Sequence, residues 1–443
     1  MNIRKIISSF DKASGKWITI LSVFPGKIKA FFTSAWGRWV TLLSIFLALG
    51  LTAGLYVFWK GLSVTNLTDL VPWGLWITVD LSSIAMAGGA FFLCAGVYLV
   101  GLKRFEPVAR TATFVGLAGY TMAMLALLLD IGRPDRFYNS FLYWNKHSLL
   151  WEVTMCVGLY LTVLLLEVMP IVSSFEWLRA HFPKVAFRME NVHHYAPYLA
   201  IAGLCLSMLH QSSLGAVYGV LKARPFWFKP DIAVLFIFSA VAGGMSLTVF
   251  ASMLSARLTP RAIVKDELLE RVSYFIGWMM VGYLYFRFWD TLSMNYTYLA
   301  GRTEGLALIT SGVLSFNFWF GEILLGAVVP IILLLNKKTR MVPALRMLAL
   351  ILIVGGVVAY RWDTNLSGLL VLVSYLPGET TVSYTSYRPS PVEWLAGLGI
   401  VSYGLMLFSI GVRYLHVVDH TVYDVEHAAV TEEVPAQGEV LLT

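Results

Sequence analysis

Asp80, Asp130, Arg133, Glu152 and His210 all sit within or at the ends of long apolar runs, in a chain that otherwise keeps charge away from such runs. Carboxyl and imidazole groups take up and release protons, and a guanidinium stabilises developing negative charge. Placing an ionisable side chain inside a membrane span costs about 2.5 kcal/mol or more, so each is a functional candidate. Structural readings stand beside the chemical one. Asp130 and Arg133 could form a paired corner, and Glu152 could sit at the positive end of a helix dipole. With Ser148 as N-cap, however, Glu152 falls one place beyond the capping-box position.

Trp73, Trp76 and Asp80 recur at helical spacing, which predicts one face carrying flat aromatic walls beside a carboxylate, suited to a planar, lipid-soluble ring. An interfacial aromatic belt gives the same pattern. His210, Gln211, Ser212 and Ser213 supply adjacent donors and acceptors, and Gln211 joins the candidate ring-binding residues. A second set comprises Arg287, Asp290, Glu322 near the middle of its predicted span, and Arg361 with Asp363 after the ninth span. There, Glu322 either pairs with Arg287 or serves as a proton station.

The elements that must hold these residues are membrane helices. Of 443 residues, 58% are hydrophobic and 13% charged, whereas soluble domains carry roughly a quarter charged residues. The fold class is therefore all-α and polytopic, with ten apolar runs long enough to span: 39–59, 71–100, 111–129, 148–166, 193–214, 232–254, 272–289, 306–335, 347–360 and 392–412. With a cytoplasmic amino terminus, twenty-two of the 33 Lys and Arg residues fall on the inner side and ten on the outer. That asymmetry predicts both termini in the cytoplasm. Three segments follow: a basic cytoplasmic lead (1–38), a transmembrane domain (39–415) and a cytoplasmic tail (416–443) expected to be mobile.

Several chemistries lack their residues. Cys94, Cys156 and Cys205 lie singly in apolar runs, without C-x-x-C spacing, and read as buried small hydrophobes; no metal site is signalled. A b-type haem needs paired axial histidines, and His210 stands alone apart from His193 and His194 at a helix end. No haem-attachment or ferredoxin-type cysteine run is present, so neither haem nor iron–sulfur cluster is expected in this chain. Any electrons must come from or go to a partner.

Four stretches carry a family resemblance: PWGLWITVDLSSIAMAGGAF at 72–91, LDIGRPDRF at 129–137, LLWEVTMC at 149–156 and LHQSSLGAVY at 209–218. They resemble the NrfD and polysulfide reductase membrane subunits, in particular the ten-helix branch that includes the hydrogenase-2 membrane subunit. The resemblance implies two four-helix bundles, formed by spans two to five and six to nine, with flanking helices. It also implies a haem-free quinone site, for menaquinone or ubiquinone, at the outer ends of the first bundle. Carried over by position, the site residues are Asp80, Asp130, Arg133, Glu152 and His210. The implied partners are an extracytoplasmic ferredoxin-like iron–sulfur subunit and further redox subunits in a bacterial or archaeal inner membrane, with membrane lipid around them and no nucleic acid.

The expected function is exchange of electrons and protons between a quinone and that partner. His210 and Asp80 serve the quinone oxygens, Arg133 holds Asp130, and Glu152 relays protons. Two rivals are a proton- or ion-translocating transporter, suggested by Glu322, and a structural anchor whose charged cluster is only a docking corner.

Overall fold

Each long apolar run becomes a helix because the bilayer offers no partner for a free backbone N–H or C=O, so a spanning segment must satisfy them internally. The computed structural model describes residues 30–415 and 417–420. Its ten long helices are α1 (Ala35–Lys60), α2 (Leu75–Tyr98), α3 (Glu106–Asp130), α4 (Leu149–Ser173), α5 (Ala196–Gly219), α6 (Asp231–Leu258), α7 (Asp266–Tyr296), α8 (Asn317–Leu335), α9 (Pro343–Ser367) and α10 (Pro391–Tyr414). Among the described residues, nine helices are long and apolar enough to cross a membrane. The tenth, α7, is continuous but less apolar, and carries Arg287 and Asp290 within it.

Local chemistry sets the ends. Ser148 caps α4 by accepting the Trp151 N–H at 3.3 Å. A capping box opens α10, where the Ser390 N–H donates to Glu393 Oε2 at 2.8 Å and the Glu393 N–H returns to Ser390 Oγ at 3.3 Å. Pro391 follows at the first position, where its missing N–H costs nothing.

Helices α2–α5 form one bundle and α6–α9 a second, joined where α2 packs on α6 and α9. The apolar window of α2 is 88% buried by protein, against 28% for α1, so α2 is the central pillar and α1 faces outward beside α10. Backbones meet at glycine pairs: a Cβ on Gly89 of α2 would lie 2.5 Å from the Gly244 Cα of α6, and one on Gly50 of α1 would lie 2.4 Å from the Gly399 Cα of α10. Small residues at such crossings let dispersion contacts replace the hydrophobic drive that lipid removes.

Four features depart from the sequence expectation. The predicted span 306–335 is broken: Arg302–Thr310 is a separate short helix, and the span proper follows it, with π-helical geometry over Asn317–Val328. Glu322 consequently lies near the start of α8 rather than at mid-span. Arg361 and Asp363 lie within α9, which continues to Ser367, rather than after it. The connection that follows α9 folds into an antiparallel hairpin, β1 (Val371–Leu376) with β2 (Glu379–Tyr384), turned at Gly378 with φ of 85°. This hairpin marks one rim of the protein. Finally, Cys94 and Cys156 are buried but Cys205 is exposed on the bundle surface.

Of the expected lead and tail, residues 1–29, 416 and 421–443 lie outside the described residues. The described start of the tail is docked on the opposite rim. Val417 and Val418 are buried, Ile263 bridges to Asp419, and the His420 N–H donates to the Ile263 carbonyl at 2.9 Å. For these four residues the expectation of mobility gives way, because two valines have an apolar cluster with Phe114 and Ile171 to enter.

Candidate functional site

Helix register brings residues from four helices into the half of the first bundle nearer the hairpin rim. Asp80 is five residues into α2, about 8 Å along the helix. Asp130 closes α3, Glu152 lies in the first turn of α4, and His210 lies just past the middle of α5.

His210 is fully buried, and its Nδ1 is hydrogen-bonded to the Tyr120 hydroxyl of α3 at 2.8 Å. The other ring nitrogen, Nε2, is buried with no partner. Tyr120 stands edge-on to the imidazole and tilts against Tyr160 of α4, with ring centroids 4.6 Å apart. Next along α5, Gln211 Nε2 donates to the Ile84 carbonyl of α2 at 2.9 Å while its Oε1 is left without a partner. Ser213 Oγ donates to Glu152 Oε1 at 2.8 Å. Asp80 is buried, has no ion-pair partner among the described residues, and is in electrostatic reach of Asp130, whose Oδ1 is also unpartnered. Buried polar atoms are rarely left unpaired, because each costs about 1–3 kcal/mol. His210 Nε2 and Gln211 Oε1 are therefore a neighbouring pair of orphaned polar atoms, whereas Asp130 Oδ1, ten residues beyond Tyr120 on α3, lies about 15 Å nearer the hairpin rim.

Three expected members are elsewhere. Arg133 does not hold Asp130; it binds Asp135 with two 3.0 Å hydrogen bonds in an exposed loop, where it holds that carboxyl below the usual carboxylate range. Gly132, at φ of 71°, turns the chain away between Asp130 and Arg133. Trp73 and Trp76 do not share a face either. Trp76 donates to the Glu393 carbonyl at 3.1 Å and packs among Ala53, Leu129 and Ile400, on the side of α1 and α10. Trp73 precedes α2 and lies in the seam between bundles, edge-on to Tyr218 at 5.4 Å and stacked on Trp227 at 5.9 Å. Conversely, Tyr120 and Tyr160 were not singled out by the sequence, although each is a phenol inside an otherwise apolar run.

The second bundle holds a paired cluster. Glu322 accepts from Arg287 Nε at 2.6 Å, Arg287 Nη2 at 3.1 Å and the Tyr283 hydroxyl at 2.7 Å. Asp290 lies between Arg287 at 2.8 Å and Lys229 at 2.5 Å. Asn317 donates to Asp363 at 2.8 Å, and Arg361 covers the Phe236 ring at 3.4 Å. Pairing, the simpler of the two sequence readings of Glu322, is what the geometry shows.

Among the described residues, no group of three or more His, Cys, Asp or Glu side chains is placed to hold a metal ion. The cavity beside Gln211, lined also by Gly88 and Ser207, is about 10 Å³, room for about one water, so a ring entering there must displace side chains.

Residues 63–373 match the polysulphide reductase, NrfD family profile. The chain is 34% identical to the menaquinone reductase integral membrane subunit of Nitratidesulfovibrio vulgaris, over 84% of this chain and 89% of that one. It is 26% identical to the Hdr-like menaquinol oxidoreductase integral membrane subunit of Archaeoglobus fulgidus, over 83% and 89%. It is 23% identical to the "probable Ni/Fe-hydrogenase 2 b-type cytochrome subunit" of Escherichia coli, over 80% and 85%.

Proposed function

The chain belongs to the NrfD family of integral membrane subunits, and from that premise we propose that it exchanges electrons and protons between a membrane quinone and an iron–sulfur partner of a respiratory complex. The observation that carries this reading is the neighbouring pair of orphaned polar atoms, His210 Nε2 and Gln211 Oε1, buried in an apolar bundle. A quinone carbonyl accepts hydrogen bonds and a quinol hydroxyl donates them, so this set serves both forms. Menaquinone is the favoured substrate, since two relatives are named for it.

Each proton needs a donor close to a ring oxygen. His210 offers Nε2 while Tyr120 fixes Nδ1, and Asp80, about one turn of α2 nearer the hairpin rim than the Ile84 carbonyl that holds Gln211, offers a carboxyl. Glu152, tethered by Ser213, passes protons between these groups and the hairpin rim. Two electrons arriving from the partner, with two protons, convert quinone to quinol; quinol oxidation is the reverse. Arg133 has no part in this step. The excess of Lys and Arg on the rim opposite the hairpin supports placing the hairpin rim outside the cytoplasm and docking the partner there. Glu322, once the attraction of the transporter reading, is neutralised by Arg287.

The test is quinone-linked turnover of the purified complex carrying His210→Ala or Asp80→Asn. Both variants are expected to assemble and to lose turnover. Wild-type turnover in both would overturn the assignment.

A further inference from the structure

Two arginines at the rim opposite the hairpin are held in place without a carboxylate. Arg413, in the last turn of α10, stands over the Trp36 ring of α1, its guanidinium carbon 4.5 Å from the ring centroid. Arg261, in the connection from α6 to α7, donates from Nη1 to the Arg413 carbonyl at 2.6 Å. Both residues are exposed, and neither has an ion-pair partner among the described residues. Four arginines of the same rim set the contrast: Arg179 pairs with Glu190, Arg271 with Glu267, Arg340 with Glu270 and Arg346 with Asp266. A guanidinium stacked on an indole uses its flat face there and keeps the N–H groups at its edge for an anion.

We propose that Arg413 and Arg261, with Trp36 and Trp39, form a headgroup site for an anionic phospholipid of the adjoining leaflet. The site lies at the rim opposite Asp80 and Glu152 and shares no residue with the quinone reading above.

Location selects a lipid over a soluble anion. The helix α1 packs chiefly on α10, and only 28% of its apolar window is covered by protein, so the two form an outer wall that meets acyl chains. Leu42 and Ile45 of α1, with Leu405 and Ile410 of α10, are exposed along that wall. Trp39 is exposed as well, and its Nε1 donates to Ser409 Oγ at 3.1 Å, joining the same two helices. Tryptophan settles at the headgroup level, where one end of the ring is apolar and the other wet. The guanidinium carried on Trp36 is therefore at the depth of lipid phosphates.

Charge selects the headgroup. Every phospholipid carries a phosphate, but a zwitterionic one brings its own cation to it. Two guanidinia without a carboxylate favour a headgroup of net negative charge, and each planar fork can hold two phosphate oxygens. A phosphate held by both would tie α1, α10 and the α6–α7 connection together. That closes one end of a seam whose backbones already meet at Gly50 and Gly399. Arg261 also stands two positions before Ile263, which holds Asp419 and His420 of the docked segment, so lipid binding and docking share one connection.

The purified complex, delipidated in detergent, is titrated with phosphatidylglycerol or phosphatidylcholine and followed by native mass spectrometry. At one site, wild type is expected to bind phosphatidylglycerol at least about ten-fold more tightly than phosphatidylcholine. Arg261→Gln with Arg413→Gln is expected to weaken phosphatidylglycerol roughly ten- to thirty-fold there and to leave phosphatidylcholine unchanged. Trp36→Leu keeps both charges but removes the platform under Arg413, and is expected to weaken phosphatidylglycerol roughly three-fold. Lys184→Gln with Arg188→Gln removes two exposed charges elsewhere on the same rim and is expected to leave the affinity within about two-fold. Equal affinity of wild type for the two lipids would overturn the site. So would an unchanged affinity in the double arginine variant, or an equal fall in the Lys184 and Arg188 variant. If the double arginine variant does not assemble, wild-type affinity in Trp36→Leu overturns it.

Discussion

His210 Nδ1 and the Tyr120 hydroxyl are joined by a 2.8 Å hydrogen bond between α5 and α3, buried on all sides. The bond fixes the plane of the imidazole and leaves Nε2 as the buried ring nitrogen without a partner. A histidine held in this way is pre-oriented for proton transfer at one nitrogen while it exchanges protons at the other.

Removing that hold tests its value. Tyr120→Phe keeps the ring contact with Tyr160 but deletes the hydroxyl. Quinone-linked kcat of the assembled complex is expected to fall roughly 100-fold, within the usual range for loss of acid–base assistance, with a smaller effect on KM. Steady-state kinetics against quinone concentration separates the two. A change in KM alone would make Tyr120 part of ring binding instead.

Arg133 supplies the opposite case. Because both of its hydrogen bonds go to Asp135 in an exposed loop, Arg133→Ala is expected to leave quinone-analogue affinity within about two-fold of wild type, as exposed pairs contribute little. Asp130→Asn, which alters an orphaned buried oxygen, is expected to change it. Titration of the purified complex with the analogue by fluorescence quenching compares them directly.

These outcomes also show where local sequence stops being informative. Apolar runs of spanning length are a local property, so ten helices could be counted from the chain. Pairing across helices is not local: Tyr120 and His210 are separated by 90 positions and meet because α3 and α5 run parallel and each residue is the fifteenth of its helix. The Trp73–Trp76 face failed for a smaller reason, since α2 begins at Leu75 and Gly74 has extended, non-helical torsions, which puts Trp73 off the helix. Arg133 failed through Gly132, whose left-handed conformation re-aims the chain. The hairpin had a readable signal, Pro377–Gly378 between strand-forming residues, that a search for twenty-residue runs passes over.

The second bundle makes a stability prediction. Glu322→Gln leaves the buried cations Arg287 and Lys229 with Asp290 as their shared carboxylate, and breaking one side of a buried pair costs about 3–5 kcal/mol. The variant is expected to lower the Tm of the detergent-solubilised complex. The double change Arg287→Met with Glu322→Leu, which removes both charges, is expected to recover most of that loss. A Tm in the double variant below that of Glu322→Gln would show that the pair contributes more than mutual neutralisation.

The docked segment Val417–His420 is pH-sensitive, and the sign follows from a single hydrogen bond. The Lys265 backbone N–H donates to His420 Nδ1 at 3.0 Å, so that nitrogen must present a lone pair. Nε2 is buried without a partner, and burial together with nearby Lys265 pushes the ring pKa down to about 4. Released into water, the ring returns to about 6.5. The docked form therefore loses stability as pH falls from about 6.5 toward 4, by up to about 3 kcal/mol when the undocked ring is protonated and the docked one is not. Above pH 7 both forms are neutral and the contribution is constant. Hydrogen exchange at the His420 N–H, which docking ties to the Ile263 carbonyl, is expected to accelerate on acidification beyond the intrinsic pH dependence of exchange. His420→Phe, which cannot take up a proton, is expected to abolish that excess. Unchanged protection from pH 7 to pH 4.5 in the wild-type chain would show that the segment is held by Val417 and Val418 alone.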